Sequence, residues 1–394
     1  AVGPVVLPAL FQVPDSVRSA ASAAVAIYAV QVVMDLVGGS CQASLEGFQR
    51  VDVARALDGV RRTLVAGSAC VAAVLTDDLV PTVAAAAGAA AVGALVAGGV
   101  LARVARGVTI RPRRPVVRAL LVDARSMALL RPLGVLHRTM DRVIVGIVLG
   151  PQAVAVVEVA TQLQNGTDAV LSATSYSVVP ASARLHSRGD DETLSDLLGT
   201  GTRYVLLATW SVAALSAALA APAIRLWVGD RYDEASGLVV LGVIGLAVLA
   251  TAQVGSNVLL GIGRAGSIAR VFVVTLAVNA AVSTALVHVI GIAGAFVGTL
   301  AAAVIQAPAL LAVVRREVPF PPRDLLTGSL LPGVPVAGAT AAAALAVVAL
   351  PLGDLPTLVG GGLAGGLAAG ATVLAFGLRP GEARRLRDSL VRGG

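Results

Sequence analysis

The chain has 394 residues, 57% of them hydrophobic and 13% charged, with a formal net charge of +7 and a mean hydropathy of +0.86. So apolar a composition excludes a water-soluble domain of this length. All 30 basic residues are arginines, and with aromatics at 3% their spread through short gaps reads as membrane topology rather than a nucleic-acid surface.

A membrane-spanning helix needs about 20 mostly apolar residues. Eleven such runs follow one another: 17–44, 61–77, 79–102, 119–149, 152–183, 203–226, 235–262, 267–289, 291–314, 326–350 and 356–378. They are continuous and lack period-two alternation, which excludes a transmembrane β-barrel. Arginine fills every second gap, with four in 47–62, seven in 103–125, three in 184–203, two in 263–270, three in 315–323 and five in 379–392. The gaps between carry acids: Asp77 and Asp78, then Asp230, Asp233 and Glu234, then Asp354. Arginine in short loops marks the cytoplasmic side. The pattern predicts an all-α, multi-pass membrane protein with its C-terminus in the cytoplasm.

The first three runs contain half of an internal repeat. Gly47-Phe48-Gln49-Arg50, followed by Ala54-Arg55, matches Gly261-Ile262-Gly263-Arg264, followed by Ala269-Arg270, at an offset of 214 residues. The same offset aligns Pro8-Ala9-Leu10 with Pro222-Ala223-Ile224, and Ala21-Ser22 with Ala235-Ser236. Both copies cross the membrane in one direction, as parallel repeats do. Runs four to six then need three counterparts ahead of Ala1, so the expected whole has fourteen helices arranged as six, six and two. The corresponding domains are the remainder of a first lobe at 1–105, a basic cytoplasmic linker at 106–118 and a second lobe at 119–314. Two additional helices at 315–378 and a basic tail at 379–394 complete the division. Cys41 and Cys70 lie in or beside apolar helices without C-x-x-C spacing, which suits packing rather than metal or disulfide chemistry.

The fourth run breaks the apolar pattern with Arg131, His137, Arg138, Asp141 and Arg142, and Pro132 beside Arg131 predicts a kink. Charges at bilayer depth are costly and usually face a protein-lined cavity. At about 100° per residue the three arginines fall within roughly 40° of one face. The fifth run answers with Glu158, Thr161, Gln162, Gln164, Asn165 and Asp168 across a Gly150-Pro151 hairpin. Residues equally far from that hairpin share a depth, so Arg142 levels with Glu158, Arg138 with Gln162 to Gln164, and Arg131 with Asp168 to Ala169. Two readings stand: interhelical ion pairs that hold the lobe together, or a cationic wall suited to a pyrophosphate, whose oxygens an arginine fork binds two at a time. The candidate substrate-binding set is Arg131, Arg138, Asp141, Arg142, Glu158, Gln162, Asn165 and Asp168. Asp35, beside Gln31, is a further cavity candidate. Asn257, Asn279 and Gln306 suit bonds across helices.

In order and spacing, several short motifs resemble the polysaccharide flippase branch of the multidrug/oligosaccharidyl-lipid/polysaccharide exporter superfamily. They are Glu46-Gly47-Phe48-Gln49-Arg50, Asp141-Arg142-Val143-Ile144-Val145-Gly146 with Leu149-Gly150, and Val179-Pro180-Ala181-Ser182-Ala183-Arg184-Leu185. Leu226-Trp227-Val228-Gly229-Asp230-Arg231-Tyr232, Gly261 through Arg264, Asn279 and Gly291-Ile292-Ala293-Gly294-Ala295 follow. The resemblance implies two helical lobes that alternate between inward-open and outward-open states. The implied cargo is an undecaprenyl-pyrophosphate-linked oligosaccharide, moved across the bacterial cytoplasmic membrane for cell-surface polysaccharide synthesis. Glycan polymerases and glycosyltransferases of the same pathway would be its partners.

Related alternatives are an exporter of small cationic compounds and a lipid II flippase. A cationic drug would want unpaired acids and aromatics, whereas the candidates here lean basic. A membrane-embedded glycan polymerase or ligase needs a catalytic group in a large outer loop, and the outer gaps are only a few residues long. The expectation is therefore a transporter rather than an enzyme, without cofactor, bound metal or nucleic-acid partner. No G-x-x-x-x-G-K nucleotide-binding motif occurs.

Overall fold

A computed structural model describes residues 15–377, apart from 49, 107–113, 174, 321–322 and 324–325. Its described regular elements are all helical. The chain divides into two compact units, residues 1–117 and 118–394.

The first unit holds α1 (Asp15–Gly47), α2 (Val51–Thr76) and α3 (Leu79–Val104). Helix α3 packs on both others, which touch each other much less. Its buried face is a stripe of Ala86, Ala87, Ala90, Ala94 and Ala97, spaced mostly three and four residues apart. Such small side chains let helices approach closely where hydrophobic burial cannot drive association. Opposite the stripe, Gly38 of α1 would bring an added Cβ to 3.6 Å from Ala94 Cα. The acidic pair between α2 and α3 shapes the turn itself. Asp77 reverses the chain at φ 47°, and Asp78 caps α3 by accepting from the Val80 amide at 3.2 Å.

The second unit contains most of α4 (Arg114–Val148), then α5 (Pro151–Ala173), α6 (Ser175–Ser187), α7 (Asp191–Ala218) and α8 (Ala220–Val228). A 3-10 turn at Asp230–Tyr232 leads into α9 (Ala235–Gly261), α10 (Ala265–Ile290) and α11 (Ala293–Glu317). One π-turn at Leu326–Leu330 precedes α12 (Leu331–Val348), and α13 (Asp354–Thr372) runs into another at Val373–Gly377. Helix α9 is apolar all round and buried on several sides, as a central helix must be. It contributes Val239 and Val243 to a core with Val145, Val157, Ile224 and Phe296. It also contributes Val254, Val258 and Leu259 to a second core with Leu194, Leu198, Leu206 and Val314. Helices α12 and α13 pack on α7 and α8 within this unit, and Arg225 of α8 grips Asp354 at 3.0 Å.

Helix boundaries reproduce the sequence repeat. Gly47 and Gly261 end a helix, Val51 and Ala265 begin the next, Thr76 and Ile290 end it, and Leu79 and Ala293 begin a third; each pair is 214 residues apart. The turn chemistry repeats too: Arg50 N bonds Leu45 O at 3.0 Å, and Arg264 N bonds Leu259 O at 2.8 Å, with both leucines fully buried. In each triplet the third helix packs on the first and second, which meet only weakly.

Eleven apolar runs correspond to fewer clear spans. Among the described residues eight helices are long and apolar enough to cross a membrane, or nine if α7 and α8, bent by 62°, form one span. Helices α4 and α5 are outside that set although they have 35 and 23 residues. Their charged and amide side chains, not their length, exclude them. The same residues form the candidate site.

Candidate functional site

The site starts from a tight hairpin. Leu149 N closes α4 onto Val145 O at 2.8 Å, Gly150 takes φ 89°, and Pro151 opens α5. A side chain at position 150 would be strained in that conformation. The hairpin brings Arg142 Nε to 2.6 Å from Glu158 Oε2, the pairing expected from equal distance to the turn. Gln162 Nε2 donates to the other oxygen of Glu158 at 2.6 Å, and Asn165 Nδ2 donates to Gln162 Oε1 at 2.9 Å. Arg142 Nη1 also donates to Arg138 O at 3.3 Å.

Arg138 reaches past its expected level. Its Nη1 meets Asp168 Oδ2 at 2.6 Å, rather than Gln162 to Gln164. Asp168 lies four to six residues beyond the expected level, about 6–9 Å along the helix. A long arginine stem can cover that rise to reach a full negative charge, which attracts it more than an amide does. Arg131 belongs to α4 by backbone, and its side chain lies outside the described residues.

Asp141 turns to different helices. Thr299 Oγ1 of α11 donates to Asp141 Oδ1 at 2.7 Å, and Asn279 Nδ2 of α10 donates to Thr299 Oγ1 at 3.0 Å. Ser283 Oγ is 2.6 Å from Asn279 Oδ1 and 3.1 Å from Ala295 O. Asn279 and Ser283 are fully buried, so this chain satisfies polar groups that water does not reach. Nearby, Thr275 Oγ1 lies 3.2 Å from Gln306 Oε1, which fulfils the expected bonding of Asn279 and Gln306 across helices.

These groups surround a cavity of about 340 Å³ between α4, α5, α9, α10 and α11. Arg138, Asp141, Arg142, Asn165 and Asp168 line it, together with Gly242, Gly245, Gln253 and Ser256 of α9. His137 stacks on Phe272 with ring centroids 6.2 Å apart. The four charged lining residues are two arginines and two aspartates, so among the described residues the wall is charge-balanced rather than cationic. Glu158, the partner of Arg142, and Gln162, which donates to Glu158, fall outside the lining. Sequence reasoning missed Gln253, Ser256 and Thr299. The first two share one face of α9 at three-residue spacing; nothing local distinguished Thr299.

Asp35 does not stand free. It pairs with Arg61 of α2, whose other terminal nitrogen meets Asp58 at 3.1 Å, while Arg62 meets Asp58 at 2.8 Å. Two of the resembling motifs meet in the second unit. Gly261 lies so close to α6 that a Cβ there would stand 2.5 Å from Val179 O and would strike Ser182 Oγ. Both cysteines are free thiols.

A family model described as "Polysaccharide biosynthesis protein" matches residues 44–237. The matched stretch includes the first G-x-x-R turn and the whole α4–α5 pairing, and it ends at the start of α9. No curated protein matches the chain.

Proposed function

We propose that this chain, which over residues 44–237 belongs to the polysaccharide biosynthesis protein family, is a flippase for an undecaprenyl-pyrophosphate-linked oligosaccharide. At the coarser level it is a multi-pass membrane protein with a role in polysaccharide biosynthesis or transport. The observation that carries the finer reading is the pair of guanidinium groups, Arg138 and Arg142, on one wall of the second unit's cavity. Each is held by a carboxylate. Pyrophosphate carries more charge than a single carboxylate and offers paired oxygens to each fork. It displaces Asp168 from Arg138, whose side chain is 61% exposed and free to swing. When the cavity opens to the other side, Asp168 recaptures the arginine and the headgroup leaves. A volume of about 340 Å³ suits a headgroup rather than a whole oligosaccharide, so the glycan extends beyond this wall. Asn165 and Gln253 supply amides for sugar hydroxyls.

The membrane is the bacterial cytoplasmic one, with the arginine-rich gaps and the C-terminus inside. Glycosyltransferases load the carrier lipid there, and a polymerase uses it outside. A second reading draws on the charge balance: Asp141 lines the cavity bonded to a hydroxyl, which would suit a cationic cargo.

The test is translocation in vesicles containing full-length protein. A fluorescent undecaprenyl-pyrophosphate oligosaccharide is expected to move between leaflets, with a loss of about tenfold or more for Arg138→Ala and partial retention for Arg138→Lys. Movement of a cationic dye with no movement of the lipid would replace this reading by the second.

A further inference from the structure

A groove on another face of α10 and α11 carries a site of its own. It encloses about 370 Å³ and is lined by Arg270 and Arg316 at one end, with Val271, Val274, Ile305 and Val313 along it. At about 100° per residue, Arg270 and Val274 lie roughly 160° around α10 from the cavity-lining Phe272, and Ile305 and Arg316 roughly 100–120° around α11 from Thr299, with Val313 nearer at about 40°. The groove therefore opens away from the central cavity. Val274 is 58% exposed and Ile305 44%, so the walls are apolar and uncovered by the described chain.

The charges at its end are not mutually cancelled. Arg264 takes Glu317 at 3.0 Å, which neutralises the one acid in the lining. Arg270 makes a bond to Ser267 Oγ at 3.1 Å, and among the described residues neither Arg270 nor Arg316 has a carboxylate partner. Both are exposed and come from the end of the bundle where α10 begins and α11 ends. From Ile305 to Arg316 the helix rises about 16 Å, the depth of one hydrocarbon leaflet of roughly 15 Å.

We propose that this groove binds one anionic phospholipid of the arginine-side leaflet, with its phosphate between Arg270 and Arg316 and an acyl chain along Val271, Val274, Ile305 and Val313. Two cations from neighbouring helices above an apolar channel of leaflet depth match both parts of such a lipid. A free anion would use only the arginines. A zwitterionic lipid would bring its own cation to them.

The full chain is purified in detergent and titrated with phosphatidylglycerol or phosphatidylethanolamine, and adducts are counted by native mass spectrometry. Phosphatidylglycerol is expected to bind preferentially. Arg270→Gln and Arg316→Gln should each weaken it about fivefold, and Ala309→Trp should weaken it by filling the groove without changing charge. Arg315→Gln, a neighbouring charge outside the lining, should have little effect. An equal loss with Arg315→Gln, or none with Ala309→Trp, would mean diffuse surface attraction and would overturn the proposal. So would competition by glycerophosphoglycerol, which has the headgroup without the chains, or a dimer abolished by Ala309→Trp. Transport need not be measured, so the outcome is independent of the flippase reading.

Discussion

Replacing Arg142 with Ala separates holding the lobe together from binding a substrate. The ion pair to Glu158 spans 2.6 Å, with the guanidinium side chain 27% exposed and the carboxylate side chain 44% exposed. Exposed pairs contribute about 0.2–1 kcal/mol, whereas breaking a buried pair costs about 3–5 kcal/mol. Glu158 is more than a third exposed and keeps the bond from Gln162 at 2.6 Å, which places the expected loss between the two ranges and closer to the lower, at about 1.5 kcal/mol. Glu158→Gln should cost less, about 0.5 kcal/mol, because Arg142 retains its bond to Arg138 O. The double change removes both charges, and the coupling recovered should be about 1 kcal/mol. Reversible unfolding of the four proteins in detergent measures the cycle, and glycan export by the same four in a flippase-deficient host measures function. If Arg142 binds pyrophosphate, the double variant regains about 0.5 kcal/mol over Arg142→Ala but no export. Recovery of both would make Arg142 a structural residue and refute its place in the binding wall. Coupling below about 0.3 kcal/mol would refute the ion pair itself.

Thr299→Val keeps the shape of α11 but removes the donor to Asp141 and the acceptor for Asn279. It should destabilise by about 1.5–3 kcal/mol in the same unfolding assay, and an unchanged midpoint would contradict the polar chain. Gly261→Ala should cost about 1–3 kcal/mol because the new methyl meets Val179 O and Ser182 of α6, whereas Gly266→Ala, with open space around it, should have no packing penalty. The two variants would be compared by thermal unfolding, and equal midpoints would argue against that close approach. Asp190, in the turn before α7, accepts from the Thr193 amide at 3.1 Å, and hydrogen bonds from Thr193 hold its carboxyl below the ordinary value of 3.8. A lowered folded pKa stabilises above the unfolded value and is lost as pH falls through the folded one. Exchange of the Thr193 amide, corrected for intrinsic rate, should therefore accelerate below pH 3.8, and Asp190→Ala should abolish that step.

The membrane class, the helix order and the repeat were legible in one dimension because each depends on local composition. Lipid cannot satisfy backbone polar groups, so a long apolar run becomes a helix whatever its neighbours are. The shared G-x-x-R turn also placed the boundaries of two helix triplets at one offset, since a turn is made by adjacent residues. The hairpin count reached Arg142 and Glu158 for the same reason: Gly150 and Pro151 set where two helices fold back, and a helix rises by a constant step. It did not give the partner of Arg138, because side-chain reach and the attraction of a full charge selected Asp168 over nearer amides. Spacing within α4 and α5 carries no information about α11, so the bond from Thr299 to Asp141, 158 residues away, belongs to the tertiary structure alone. The charge of the cavity wall was decided there as well. Counting arginines along α4 suggests a cationic face, but in three dimensions each described guanidinium has drawn a carboxylate from α5, because an unpaired charge is too costly at that depth.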